Sequence, residues 1–397
     1  MFAAGGALLG IIITAPSRVR LFERDVRGRF IANVHHIESR VSSTSTHSTA
    51  ADPSNPASDL RLEQLRRWVE QLFGSQDFLI APASADASFR RYFRVTRDGQ
   101  TWIAMDAPPE KENMEPYIRI ANMLVQVGVN APQVLHTNVD EGFLLNTDLG
   151  SRTYLTEIDA GGDVDKLYHD AMDALVQIQA NGKGHAVGLP AYDEPLLRRE
   201  VQLFPEWFIG RHLQLNLDTD ETAALQGVFD ALIKESLAQP RVFVHRDYHS
   251  RNLMVAGGKF GTNPGVLDFQ DAVYGPVTYD LVSLLRDCYV AWPVDRVDEW
   301  LSRFREVARA AGVDTGPDQK TFQRWFDFMG VQRHLKAIGI FARLWHRDGK
   351  PGYLKDIPRT LNYVRVAAAS YPELSALRSL IDTRVMPVLD QAIPAAS

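Results

Sequence analysis

Apolar residues first recur at helical spacing at Leu60, Leu62, Leu65, Trp68, Val69 and Leu72, and Gly74 follows as a stop signal. This predicts a helix opening after Asp59. The period then shortens to two. Residues 89–95 carry aromatics in an alternating pattern, and Trp102-Ile103-Ala104-Met105 follows Asp98-Gly99, a hairpin-turn pair. Pro108-Pro109 breaks the chain. A second helix, with Pro116 near its start, shows Tyr117, Ile120, Ala121 and Leu124 on one face and ends at Gly128. Phe143-Leu144-Leu145 then runs into Asn146-Thr147-Asp148-Leu149-Gly150, a short connector. From about Ser151 helical patterns dominate, interrupted by a hairpin that follows the apolar runs Val242-Phe243-Val244 and Val266-Leu267. The pattern describes a small strand-rich lobe joined to a larger helical one, with no internal repeat.

Composition narrows the class. A chain of 397 residues is long enough for two domains. A net charge of -6 and the lack of any Lys/Arg-rich run argue against a nucleic-acid groove. The single cysteine, Cys288, shares a helical stripe with Leu281, Leu284 and Leu285 and reads as a small core residue. Residues 2–15 are apolar and about as long as a signal-peptide core, but no Lys or Arg precedes them and they are too few to span a bilayer. Residues 42–58 are dominated by Ser, Thr, Ala and Pro, which cannot bury enough apolar surface to order themselves. Residues 1–58 are therefore expected to be a disordered extension, with an over-extended start of the reading frame as a further reading.

The candidate chemistry stands where buried strands should end. His245-Arg246-Asp247-Tyr248-His249-Ser250-Arg251-Asn252 follows the first apolar run, and Asp268-Phe269-Gln270 follows the second. In this order, a first carboxylate can take or align a hydroxyl proton. The asparagine amide oxygen and the second carboxylate can then hold Mg²⁺ against nucleotide phosphates. Two loop aspartates and a capping asparagine are the plainer alternative; spacing, order and strand context favour phosphoryl transfer.

These segments resemble the aminoglycoside-phosphotransferase-like kinases over roughly residues 75–350. The resemblance is carried by residues 88–95, 128–132, 145–150, 245–252, 268–271 and 275–281. Residues 105–110, 203–207, 332–336 and 339–344 are similar to the bacterial anomeric sugar kinases of cell-wall recycling, which phosphorylate N-acetylmuramate and N-acetylglucosamine at the 1-hydroxyl. The resemblance implies an α+β, two-lobed protein-kinase-like fold. Residues 59–150 would be a small antiparallel-sheet lobe with the phosphate-covering loop, and residues 151–397 a larger, mostly helical lobe with the catalytic loop, metal site and sugar site. It also implies ATP and Mg²⁺ as cofactors, an amino sugar as acceptor and a functional link to a sugar-1-phosphate nucleotidyltransferase. The location would be cytoplasmic, with no nucleic acid and no stable membrane association.

By this resemblance Asp247 is the base, and Asn252 and Asp268 are the metal ligands. Arg251 and His249 are placed to offset charge on the transferring group, or else to brace the loop. Asn146, Thr147 and Asp148 would hold adenine through backbone groups. His245 and Arg246 would brace the loop, tied by Asp280, which could also cap its own helix. By residue type, Glu206, Trp207, Arg211, Arg333, His334 and Arg343 suit a polar sugar, and an acidic sugar would favour an arginine fork; structural pairing between helices explains the same residues.

One departure lies in the small lobe. Kinases carry a strand lysine paired with a helix glutamate; here Met105 takes the lysine's place, and the glutamate's falls near Tyr117, with Glu115 close by. Losing both members together avoids a buried unpaired charge. Ser88, Arg90 and Arg91 are then expected over the nucleotide phosphates, with Lys111 nearby and Arg94 a weaker candidate; a solvated surface run is the alternative reading of Arg90 and Arg91. Two alternatives remain: a kinase for an aminoglycoside, choline, homoserine or fructosamine, and a nucleotide-binding regulator on a kinase fold. The intact Asp247, Asn252 and Asp268 argue against the regulator.

Overall fold

Alternation around Phe93 and Val95 does make a strand, and its register decides which side chains reach the cleft. The computed structural model describes residues 21–24, 30–33, 59–85, 89–186 and 188–393, in two units, Met1–Ala57 and Ser58–Ser397. Within the first, β1 (Leu21–Arg24) pairs antiparallel with β2 (Phe30–Asn33). The rest of the expected disordered extension lies outside the described residues.

The second unit opens on α1 (Leu60–Phe73), where the Asp59 carboxylate accepts from the Leu62 N–H and Gly74 closes the helix in the left-handed region. Five strands follow: β3 (Leu79–Ala85), β4 (Arg91–Arg97), β5 (Gln100–Asp106), β6 (Val134–Asn138) and β7 (Phe143–Thr147). They form an antiparallel sheet in the order β3-β4-β5-β7-β6, with α2 (Glu115–Gln126) between β5 and β6. Asp98 and Gly99 turn β4 into β5 with φ of 50° and 73°, the geometry that a two-residue hairpin needs. The hydropathy pattern had not indicated β3 or β6. Both are edge strands: one carries Pro82, and the other exposes Leu135, His136 and Thr137, so neither shows the buried alternation that identifies a strand.

The sheet's two faces have different tasks. Phe93, Val95, Ala104, Phe143 and Leu145 pack with Leu65, Trp68 and Val69 of α1. Tyr92, Arg94, Ile103 and Asn146 line a cleft on the other face.

Helices then dominate: α3 (Tyr154–Asp159), α4 (Val164–Asn181), α5 (Lys183–Ala186), α6 (Glu194–Leu203) and α7 (Thr219–Leu237). Two short ladders carry the motif loops. β8 (Arg241–Val244) pairs with β11 (Val273–Pro276), and β9 (Leu253–Met254) with β10 (Gly265–Val266). α8 (Tyr279–Leu285), α9 (Val294–Ala310), the 30-residue α10 (Gln319–Asp348) and α11 (Ile357–Ala369) follow. α10 passes so close to the end of α6 that a Cβ on Gly339 would lie 2.4 Å from the Leu203 carbonyl carbon. Cys288 is buried among the apolar residues around α10, as its stripe implied. Antiparallel small lobe and helical large lobe give the expected α+β kinase-like architecture.

Candidate active site

The loop at residues 245–252 is anchored from behind before it presents any side chain. Arg246 holds a φ of 80°, unusual for a side-chain-bearing residue. The Asp280 carboxylate fixes this bend by accepting from the backbone N–H of His245 (2.6 Å) and of Arg246 (2.9 Å). Burial pushes the Asp280 pKa up to about 7 against those two donors. Asp280 does tie the loop, but it does not cap α8: the N-cap is Thr278, without a side-chain bond. Further along, Ser250 donates from N and Oγ to Asp287 (2.9 and 2.5 Å). Under the loop, buried Glu200 binds Arg246 (2.5 Å), Lys336 (3.0 Å), Gln332 (3.2 Å) and the Tyr192 hydroxyl. Lys336 also donates to the Tyr279 hydroxyl (2.9 Å).

Anchoring brings the three motif residues together. Asn252 Nδ2 donates to the Asp247 carbonyl (3.1 Å) and to Asp268 Oδ2 (3.1 Å). The Asn252 amide and the Asp268 carboxylate are thereby neighbours. Asp268 sits at a φ of 64°, and Gln270 donates to its Oδ1 (2.8 Å). Two adjacent hard oxygen groups suit Mg²⁺, which takes one or two protein ligands and completes its shell with water and substrate phosphates. Among the described residues no group of three or more His, Cys, Asp or Glu offers an all-protein cage. Burial raises the Asp247 pKa, but the charges of Lys336, Arg333 and Arg246 outweigh it and hold the carboxyl below its usual range.

The two other loop candidates differ. His249 is buried with its ring edge-on to Tyr289 at 5.3 Å, and its Nδ1 has no partner among the described residues. Burial lowers its pKa, so it is neutral and supplies no charge at neutral pH. Arg251 lays its guanidinium over Tyr289 (4.5 Å) and Tyr353 (5.7 Å).

On the small-lobe side, Met105 and Tyr117 are buried in the same core as Phe269, with Tyr117 and Phe269 ring centroids 5.0 Å apart. Apolar packing occupies the usual place of an ion pair; Glu115 stands on the surface 3.7 Å from Arg119. Arg91 turns to the α1 side, giving Asp106 two bonds (2.9 and 2.6 Å) and Asp59 another (3.2 Å), and does not line the cleft. Arg90 lies 3.7 Å from Glu112 and close enough to Tyr117 to act on its hydroxyl. Lys111 caps the Phe89 ring at 4.5 Å. Ser88 lies outside the described residues. Arg94, ranked low from sequence, faces the cleft and binds Asp148 (2.7 and 3.1 Å) and the Gly150 carbonyl (2.7 Å). Strand parity explains the exchange, since Arg91 shares the Phe93 face and Arg94 the opposite one.

All of this surrounds a cavity of about 780 Å³. Asn146, Thr147 and Asp148 line it; both Asn146 amide atoms are buried without a partner among the described residues. Asp247, Asn252 and Asp268 line the same cavity, and so do Arg251, Tyr289, Tyr353, Arg333 and Lys336. Of the six expected sugar residues, Arg333 alone lines this cavity. Glu206, Trp207 and Arg211 belong to a π-helical segment, Phe204–His212, with Arg211 stacked on Trp207 at 4.3 Å. His334 bonds the Arg286 carbonyl (2.8 Å) and stacks on Tyr363, and Arg343 lies near Glu206. Sequence reasoning missed Tyr289, Tyr353 and Lys336 as site residues. A signal for the last existed: Arg333, Lys336, Ala337, Ile340, Phe341 and Leu344 all line the cavity at the spacing of one helix face, and His334 and Arg343 fall off it.

Comparison with known proteins agrees with this geometry. The chain is 46% identical over 334 residues to an N-acetylmuramate/N-acetylglucosamine kinase of Pseudomonas aeruginosa, covering 81% of this chain and 96% of the relative. It is 47% identical to the enzyme of that name from Pseudomonas putida (82% and 97% covered) and 45% to the one from Neisseria meningitidis (80% and 94%). In fold it is similar to a choline kinase from Streptococcus pneumoniae, with a TM-score of 0.54 at 12% identity over 79% of this chain and all of that one. An aminoglycoside 2'-phosphotransferase in complex with GDP gives 0.51 at 17% identity over 78% and 98%. A profile of the phosphotransferase enzyme family matches residues 80–318, a span that holds the sheet, the connector, the catalytic loop and both metal-ligand candidates, and the chain belongs to that family.

Proposed function

We propose that this protein is an ATP- and Mg²⁺-dependent kinase that phosphorylates N-acetylmuramate and N-acetylglucosamine at the anomeric 1-hydroxyl. The observation that carries this reading is identity of 45–47% to sugar kinases of that name over nearly their whole length, with base and metal-ligand candidates facing one cavity.

The geometry supports the following chemistry. Asp247, held ionised by the surrounding cations, accepts the proton of the sugar hydroxyl as its oxygen attacks the γ-phosphorus. The bond from that phosphorus to the β,γ-bridging oxygen breaks and ADP leaves. Asn252 Oδ1 and the Asp268 carboxylate would hold Mg²⁺, which when bound offsets charge on the β- and γ-phosphate oxygens. Asn146 to Asp148 would take the nucleobase. Tyr289 and Tyr353 offer aromatic faces to the apolar side of a sugar ring. The product would be a sugar 1-phosphate, a substrate for a nucleotidyltransferase, made where ATP is abundant, in the cytoplasm, for cell-wall recycling. Met105 raised the regulator reading, yet packed Met105 and Tyr117 need no ion pair to be stable, and Asp247, Asn252 and Asp268 lining one cavity support the enzyme reading.

Incubation with ATP, Mg²⁺ and each sugar, followed by phosphorus NMR, tests the reading. A phosphate coupled to the anomeric proton is expected. Phosphate on another hydroxyl, or turnover only with choline or an aminoglycoside, would replace the proposed acceptor.

A further inference from the structure

The cation that meets the transferred phosphoryl group is not where kinases usually carry one. The strand lysine is Met105, His249 is neutral, and Arg91 and Arg94 are each bound to aspartates. Arg333, in the middle of α10, is different. It is 6% exposed and lines the cavity that holds Asp247, Asn252 and Asp268. Its Nε has no partner among the described residues, and its Nη1 reaches the Cys288 sulfur alone, at 3.7 Å. No carboxylate lies within ion-pair distance of it among the described residues. Asp247 and Asp287 act on its charge at longer range, but donors without a close acceptor are left open to an arriving anion.

We propose that Arg333 is a catalytic residue that receives the non-bridging oxygens of the phosphoryl group as it passes from ATP to the acceptor. Two anions could reach it: this phosphoryl group, or the lactyl carboxylate that distinguishes N-acetylmuramate from N-acetylglucosamine. Burial decides between them. A carboxylate receptor would stand empty, buried and unpaired whenever the neutral sugar was bound, whereas the phosphoryl group is present in every turnover. A carboxylate is better met by Arg251, which is partly solvated and tolerates being left unpaired. Position agrees, because Arg333 lies close enough to Asp247 for their charges to interact. In the step itself the sugar O–H proton goes to Asp247 and the new O–P bond forms. The bond to ADP breaks with its electron pair, and Arg333 donates hydrogen bonds without losing a proton.

The proposal rests on the family's phosphoryl-transfer chemistry, and its control rests on the two-sugar reading above. Arg333→Gln, Arg333→Lys and Arg333→Ala are compared with wild type on both sugars, with Mg-ADP affinity measured by calorimetry. The first two should lose about 10²-fold or more in kcat on both sugars, with sugar KM and Mg-ADP affinity little changed. Added guanidinium ion should restore part of the Arg333→Ala rate, which a merely structural role would not allow. Full kcat on both sugars in Arg333→Gln, or no rescue of Arg333→Ala, overturns the proposal. So does a loss confined to KM for N-acetylmuramate, which would make Arg333 the carboxylate reader. If wild type phosphorylates neither sugar, the acceptor reading fails by itself, and the variants are compared on Mg²⁺-dependent ATP hydrolysis. There an undiminished Arg333→Gln rate overturns the role of Arg333.

Discussion

Met105 is fully buried in one core with Tyr117 and Phe269, so restoring the kinase lysine there would place an ammonium among apolar side chains. Met105→Lys is expected to lose about 3–5 kcal/mol, the scale of an unpaired buried charge, and urea unfolding measures it. A variant as stable as its parent and faster would mean that the phosphates are held from this strand after all. Arg90 and Arg91, neighbours in sequence, should separate in their effects. Arg91→Ala removes a partner of fully buried Asp106 and should appear as a lower melting temperature. Arg90→Ala should appear as a KM for ATP raised about tenfold, the scale of one charge-assisted contact. Steady-state kinetics and melting on the pair check this; a kinetic defect in the Arg91 variant alone would reverse the assignment. For Asp247→Asn, turnover should fall about 10²-fold or more while calorimetry still detects nucleotide binding. Near-parental turnover would remove Asp247 from the mechanism.

At the scale of elements, α10 does more for the site than any segment except the catalytic loop. It carries Arg333 and Lys336 into the cavity and holds the Glu200 network beneath the loop. Its path depends on Gly339. A methyl there would overlap the Leu203 backbone, which cannot yield without moving the end of α6 and the π-helical turn after it. Gly339→Ala is therefore expected to cost about 1–3 kcal/mol, as overpacking does, and to lower kcat through displaced Arg333 and Lys336. Thermal melting and kinetics check both; an unchanged melting temperature would show that α10 can shift freely. The central strands, α1 and α2 were legible in the sequence because each buries one face and so shows a period. The edge strands β3 and β6 were not, because an edge strand buries too little to leave one.

For the whole molecule, burial sets the acid response. His245 and His334 are buried neutral, with pKa values pushed from 6.5 down to about 4 and about 3. Below pH 6.5 the unfolded chain binds protons at these two sites and the native chain does not, so stability falls as pH falls through that window. Asp280 acts in the opposite sense. Its native pKa is raised to about 7 from 3.8, so between those values the native chain holds the extra proton and gains stability on acidification. Burial also lowers His212 and His249 and raises Asp298 and Asp356; the histidines outnumber the aspartates, and the melting temperature should drop between pH 6.5 and 4.5. A rise over that range would contradict the neutral histidines.

Local order in the chain determined the chemistry. Asp247, Asn252 and Asp268 need only their spacing and the strands before them to meet, because a short hairpin leaves them little freedom to do otherwise. The same local logic fixed the α+β architecture, through the change of period from two to that of a helix. Tertiary structure decided what depended on direction and burial. Strand parity sent Arg94 into the cleft and Arg91 away from it. Burial left His249 without charge. The approach of α10 to Leu203 brought Arg333, 86 residues beyond Asp247 in sequence, to the same cavity. No pattern of neighbours along the chain encodes such a meeting, because it is set by how two distant helices fit.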